Sequence, residues 1–546
     1  MKNSTIYYVI CYRKLDSLVK MWIRDVGLSH GMPVEMAEDC GGHVETFGSY
    51  RLGVHHRGSD IDALCVVPRH VTRSDYFGSF VKLLRTESEI TDIRTIEKAY
   101  VPVLKMKFSG IDIDLLFARL ELDVIPPKLV SLTRTHTHTH ICFFKSSIQF
   151  NVVFSFLQDL NNSLLATLDT KCVRSLNGCR VTDQILSLVP NVDAFKLTLR
   201  VVRLWAKRNN IYSNILGFLG GVSWAILVAY TCQLYPRHDP AQLIREFFRL
   251  FSRWNWPSPV CLRAPEQVNF GFPVWFNNNN NNGGNGNVVG VSGSGSSSSE
   301  FGYQEREALM PIITPCYPEQ NTTYNVSRSS RRVIVEAFER GYATISAILD
   351  NQAPWDTLFE PVVFFGRYKE HVTVFANSTT KHKHLLWCGF IEARIRHLIE
   401  RLERHKCISV AHVHSESYSP PYGNQGYCSV WYIGLAFDKE DVEVNLQHDL
   451  QRFTEITKAQ AEQIKLFKAD MDLTAIHTKR SNNKEKLVQH DQQNDDNYNN
   501  NNDDTVADTT AYLLINQERK KNTTAELASS STAAVMQCDF HIKRPI

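Results

Sequence analysis

Phe47-Gly48-Ser49 and, a few residues on, Gly58-Ser59-Asp60-Ile61-Asp62 decide how the rest of the chain is read. Gly48 and Gly58 lack the side-chain bulk that keeps backbone N–H groups off a phosphate, and Ser49 adds a hydroxyl donor, so the stretch suits a polyphosphate. From Asp60 the sequence runs Asp60-Ile61-Asp62-Ala63-Leu64-Cys65-Val66-Val67, apolar and β-branched enough to predict a strand. A period of two then sets Asp60 and Asp62 on one face. Two carboxylates so placed repel each other unless one is protonated or a cation stands between them, and hard divalent ions such as Mg²⁺ take oxygen ligands.

Working outward, Val103 to Phe108 predicts a second strand, which leads through Ser109-Gly110 into Ile111-Asp112-Ile113-Asp114-Leu115-Leu116-Phe117-Ala118. Acids again alternate with aliphatics, so this strand offers a third carboxylate. Either Asp-x-Asp alone reads as surface acids beside a turn. The ordered set, a Gly-Ser turn, Asp-x-Asp and a later strand with one more Asp, resembles the nucleotidyltransferase superfamily, whose metals activate a hydroxyl and steady a leaving pyrophosphate.

The resemblance becomes specific along Phe47-Gly48-Ser49-Tyr50-Arg51-Leu52-Gly53-Val54-His55 and Gly58-Ser59-Asp60-Ile61-Asp62, which closely resemble the eukaryotic nuclear poly(A) polymerases. It continues through Arg174-Ser175-Leu176-Asn177-Gly178-Cys179-Arg180-Val181-Thr182-Asp183, Leu204-Trp205-Ala206-Lys207-Arg208, Ile211-Tyr212-Ser213-Asn214 and Gly217-Phe218-Leu219-Gly220-Gly221-Val222-Ser223-Trp224. This resemblance implies an α+β multidomain fold. A nucleotidyltransferase (polymerase β-like) mixed-sheet domain would span residues 1–171, a mostly helical central domain 172–323 and a ferredoxin-like RNA-binding domain 324–470, while the polar, Asn- and Asp-rich composition beyond predicts a disordered tail 471–546.

It also implies a template-independent polymerase that adds AMP from ATP to RNA 3′ ends with two Mg²⁺ or Mn²⁺ ions. Asp60, Asp62 and Asp114 would be the metal-binding and catalytic acids; Asp114 is chosen over Asp112 because the family's last acid directly precedes Leu-Leu-Phe-Ala. ATP would be met by Phe47, Gly48, Ser49, His56, Asp60, Ile61, Asp62, Asp114, Arg203, Tyr212, Gly221 and Val222. Implied partners are the RNA 3′ end and cleavage and polyadenylation factors, for a monomer working in the nucleus. Uridylyl- or CCA-adding enzymes share the metal chemistry, and an inactive RNA-binding relative is a further alternative.

At 546 residues there is room for several cores, and 43% hydrophobic with 21% charged residues is ordinary for a globular protein. A formal net charge of +3 confines any nucleic-acid surface to a local patch. Thirteen cysteines without Cys-x-x-Cys spacing argue against a zinc module or a secreted disulfide scaffold, and so for a reducing compartment. The apolar run Ile6 to Tyr12 is too short to span a bilayer and no later run approaches membrane length, so no membrane segment is expected.

Leu15, Leu18, Val19, Trp22 and Ile23 recur at helical spacing before the phosphate turn, and Met1 to Tyr12 reads as a foreign start. Residues 130–156 break the resemblance, and their alternating Thr and His and Phe-rich end read as translated intron sequence, although His136, His138 and His140 would share a strand face. In the run from Asp193, Arg200, Arg203 and Lys207 form a basic stripe on an apolar helix; the family has Lys where Arg203 stands, a point charge exchanged for a planar fork. Tyr212 alone reads as a core tyrosine, and Gly220-Gly221 as tight helix packing. Residues 277–300, rich in Asn, Gly and Ser, predict a low-complexity loop. Farther on, Val362 to Phe375, Ile408 to His414 and Val430 to Phe437 predict strands and Leu385 to Arg404 a helix, with Lys369, Lys381, Lys383, Arg394, Arg396, Arg401 and Arg404 available to RNA phosphates.

Overall fold

A computed structural model of the chain describes residues 2–55, 58–126, 162–266, 268–275, 308–419, 426–439 and 444–479. His56, the insert at 130–156, the loop at 277–300 and the tail beyond 479 lie outside the described residues. The chain divides into two units. One comprises Met1–Val189, Leu219–Tyr230 and Asn255–Val326; the other comprises Pro190–Phe218, Thr231–Trp254 and Ser327–Ile546.

In the first unit, strands β1 (His43–Thr46), β2 (Ile61–Val67), β3 (Ile90–Ile96), β4 (Val103–Phe108) and β5 (Ile111–Arg119) form one sheet in the order β1-β2-β5-β4-β3. β2 and β5 run parallel and every other pair antiparallel, so the sheet is mixed. Six of the seven residues of β2 are buried, as befits a central strand covered on both faces. Ser109 and Gly110 both have positive φ, 48° and 83°, the backbone a two-residue type I′ hairpin requires. That turn fixes the register of β4 on β5, with Lys107 opposite Asp112 and Lys105 opposite Asp114.

The first helix, Lys2–Ser29, is longer than its apolar spacing predicts. Leu15, Val19, Trp22 and Ile23 enter one core with Leu64, Phe80 and Phe117, and Tyr8 and Cys11 join them. The Tyr12 hydroxyl donates to the Val44 carbonyl at 2.6 Å, so this early segment is tied to β1. The helix Thr170–Leu188 starts where the Asp169 carboxylate accepts the Cys172 N–H, and it packs on β5 and β2.

In the second unit, the helices Val192–Arg208, Pro240–Ser252 and Arg328–Leu349 begin at side-chain caps, Asn191, Asp239 and Ser327. Aromatics join them: Trp205 meets Phe248 with centroids 4.6 Å apart, and Gly341 is bare because a Cβ there would lie 2.6 Å from the Phe248 ring. Then follow β6 (Glu370–Ser378), the helix Lys381–Leu402, β7 (Ile408–Val413), β8 (Tyr427–Phe437), the helix Gln447–Gln463 and β9 (Asp472–Lys479). Their antiparallel sheet has the order β7-β8-β6-β9, which with this β-α-β-β-α-β succession is ferredoxin-like.

Two expectations need correction. The strand predicted over Val362 to Phe375 begins only at Glu370, because Phe364–Arg367 forms a helical turn whose Phe364 and Phe365 gather with Tyr368 in a separate aromatic cluster. Residues 472–479, assigned to the tail, are β9. This edge strand buries little besides Leu473, so its apolar alternation is weak in the sequence. None of the described cysteines is in a disulfide, and among the described residues no helix is long and apolar enough to cross a membrane.

The second unit carries a pH dependence. Burial pushes the His414 imidazole down from 6.5 to about 4. Burial, then Arg367, His414 and Arg340, hold His412 well below its ordinary value. Unfolding therefore takes up protons below pH 6.5, so stability present above that value is lost as pH falls toward about 4. For His414 alone the full shift is worth roughly 3 kcal/mol. Thermal midpoints measured down this range should fall, and less steeply in His414→Gln; an identical slope in that variant contradicts the assignment.

Candidate active site

Because β2 and β5 are parallel and in register, Asp62 stands directly beside Asp114. Asp60 precedes β2 on the same face. Ligand oxygens of Asp60, Asp62 and Asp114 all lie within 4.8 Å of one another, with Asp60 exposed and the other two half-buried. Three carboxylates this close are costly without a compensating charge. The fold supplies one: the Lys105 ammonium, set opposite by the hairpin register, is hydrogen-bonded to Asp114 Oδ2. Asp112, the alternative third acid, is instead paired with Lys107 at 2.9 Å and is outside the cluster. An all-oxygen acidic donor set with a cation already held at its edge fits a hard divalent ion.

Gly48 sits against the same acids for a steric reason. Its φ is +60°, and a Cβ built on it would fall 2.4 Å from Asp62 Oδ2. In this structure the Gly48 N–H donates to Thr182 Oγ1 at 3.3 Å. What the glycine provides here is room for the Asp62 carboxylate. Phe47 donates its N–H to the Asp62 carbonyl at 3.0 Å, and its ring lies over Gly178, where a Cβ would approach to 2.9 Å. Ser49 lies in the short helical turn Gly48–Arg51, and its carbonyl accepts the Val54 N–H at 3.0 Å. Ile61 is buried at the head of β2.

The other residues expected to meet the nucleotide lie on other elements of the chain. Gly221 and Val222 are the exposed first residues of the helix Gly221–Leu234, whose Trp224, Ile226 and Leu227 are buried. Arg203 and Tyr212 belong to the second unit, where the guanidinium lies 5.9 Å from the tyrosine ring centroid. Sequence reasoning missed Lys105, although counting back across the Ser109-Gly110 turn places Lys105 opposite Asp114. It quoted Gly178, Thr182 and Asp183 only as resemblance. Their approach to the Gly48 turn crosses more than 130 positions in the chain and leaves no local signal.

The chain is similar to known proteins. The chain matches the family model described as "Poly(A) polymerase nucleotidyltransferase domain" over residues 10–137 and 132–189. It matches "Poly(A) polymerase central domain" over 194–289 and 296–361, and "Poly(A) polymerase predicted RNA binding domain" over 363–426. It is 38% identical over 470 residues to nuclear poly(A) polymerase 1 of Arabidopsis thaliana, covering 85% of this chain and 58% of that protein. It is 37% identical over 455 residues to the poly(A) polymerase of Dictyostelium discoideum, covering 82% and 50%. The chain thus spans about half the length of the curated relatives it matches. Among solved structures, a cytoplasmic RNA terminal U-transferase aligns at 14% identity and a TM-score of 0.37 over 64% of this chain and 92% of that one, too loosely to carry an argument. Three domain models of one family, matched in chain order and covering the sheet that brings the acids together, establish that the chain belongs to the poly(A) polymerase family.

Proposed function

We propose that the chain is a template-independent poly(A) polymerase that adds AMP from ATP to RNA 3′ ends, releases pyrophosphate and works in the nucleus in mRNA 3′-end processing. The observation that carries this reading is the convergence of Asp60, Asp62 and Asp114 in a chain matched by poly(A) polymerase domain models over most of residues 10–426. Asp60 and Asp62 would hold two divalent ions, Mg²⁺ or Mn²⁺, and Asp114 would share one of them. When bound, these ions lower the pKa of the attacking hydroxyl and offset charge on the leaving oxygens.

The chain's own residues bind and orient. Lys105 pairs with Asp114 Oδ2 and so holds that carboxylate in place beside its neighbours. Phe47, Gly48 and Ser49 border the acids on the nucleotide side, while Arg203 offers a forked donor to phosphate oxygens and Tyr212 a ring beside it. Ile61, Gly221 and Val222 complete the proposed ATP contacts, with His56 outside the described residues. The sheet β6–β9 with its two helices is the proposed RNA-holding part. Cleavage and polyadenylation factors are the proposed partners of a monomer.

Incubating a labelled RNA primer with each NTP separately tests the reading. ATP alone should give long extension products, with UTP, CTP and GTP each giving little. Extension with UTP would assign a uridylyl transferase instead, and no extension with any nucleotide would assign an inactive RNA-binding relative.

A further inference from the structure

The acids of the site are held by the sheet, but the turn that faces them is held by a helix. Two chains of contact join the turn Gly48–Arg51 to Thr170–Leu188, all within the first unit. In the first, the Gly48 N–H donates to Thr182 Oγ1 at 3.3 Å, and the Thr182 hydroxyl donates to the Gly178 carbonyl at 2.8 Å. Gly178 in turn receives the Phe47 ring, and Phe47 is bonded through its N–H to the Asp62 carbonyl. The loop closes at Gly48, whose missing Cβ would sit 2.4 Å from the Asp62 carboxylate.

The second chain is ionic. Arg51 pairs through Nε with Asp183 Oδ1 and reaches Glu45 Oε2 on β1 at 3.3 Å, while His43 Nε2 lies 3.2 Å from the other Glu45 oxygen. Glu45 is fully buried and Asp183 nearly so. Burial works against the Arg51 charge, yet Asp183 and Glu45 hold its pKa above the ordinary value. Interior charge networks are a poor source of net stability because desolvation offsets their attraction, but they fix geometry closely. This one ties a helix, a turn and a strand at the edge of the acid cluster.

We propose that Thr182 and Asp183 are positioning residues for the nucleotide: through them the helix Thr170–Leu188 holds the Gly48–Arg51 turn in the one placement that leaves Asp62 its space and keeps Ser49 facing the incoming triphosphate. The inference rests on the proposed polymerase reading. It assigns no contact with ATP to either residue. A slack turn raises KM for ATP and leaves KM for RNA alone, whereas a merely structural role lowers the apparent kcat through the folded fraction and moves neither KM.

The test uses the full chain with Thr182→Val, which keeps the volume and strands the Gly48 N–H, Thr182→Ser, which restores the acceptor, and Asp183→Asn. Hydrogen exchange of the peptide covering residues 47–54 is read first, without substrate, and steady-state AMP incorporation second. T182V should exchange faster over that peptide and raise KM for ATP about tenfold, the value of one hydrogen bond, with KM for RNA unchanged. T182S should return both to the parent values, and D183N should shift the same two readings. Unchanged exchange and unchanged KM for ATP in T182V overturn the proposal, as does an equal loss of apparent activity toward ATP and RNA. Should T182V fail to fold, D183N read on the same two axes decides. A parent chain that adds no AMP sinks the polymerase reading instead, and the exchange comparison then still judges the link between helix and turn.

Discussion

Asp62→Ala is expected to abolish AMP incorporation while leaving the protein folded. Asp62 sits between its two partners in the structure, one strand away from Asp114 and two residues from Asp60. Removing it takes away the carboxylate that both divalent ions would share. A loss of transition-state charge stabilisation of about 4 kcal/mol corresponds to roughly a thousandfold in rate. The fold should not suffer, because the change relieves repulsion among three acids and leaves the buried neighbours Ile61, Ala63 and Leu64 intact. Primer extension under single-turnover conditions, with circular dichroism on the same preparation, separates the two effects. Retained extension in a folded variant refutes the metal assignment.

Gly48→Ala should be nearly as damaging, through geometry alone. At φ +60° an L-alanine is strained by about 1 kcal/mol. The new methyl would also meet Asp62 Oδ2 at 2.4 Å and Cγ at 3.2 Å, so either the turn or the carboxylate must move. A displacement of about 1 Å at a reacting centre can cost on the order of a hundredfold. Extension should drop by about that factor, with a thermal midpoint only slightly lowered. Activity close to the parent would mean that Asp62 has freedom the structure does not show.

The central pieces of this site were legible because they are local. β2, β4 and β5 announce themselves by alternating acids or lysines with Ile, Val and Leu, and the Ser109-Gly110 turn joins two of them. Strand period sets Asp60 with Asp62 and Asp112 with Asp114, but the choice of Asp114 over Asp112 came from the family resemblance and not from the period. β1 was not legible, since four residues that bury a histidine and a glutamate look like an exposed loop in sequence. The Phe364–Arg367 turn was read as strand because aromatic residues favour either state until tertiary contacts choose. The hold of Thr182 and Asp183 on the Gly48 turn needed the fold itself, as did the pairing of Arg51 with Glu45 and Asp183.

Counting bound Mn²⁺ by electron paramagnetic resonance, in the presence of a non-hydrolysable ATP analogue, tests the central claim most directly. The parent chain should bind two ions that Mg²⁺ displaces, and D62A should lose them while still folded. Equal Mn²⁺ binding by the two proteins would contradict the account, for it would place the ions somewhere other than among Asp60, Asp62 and Asp114.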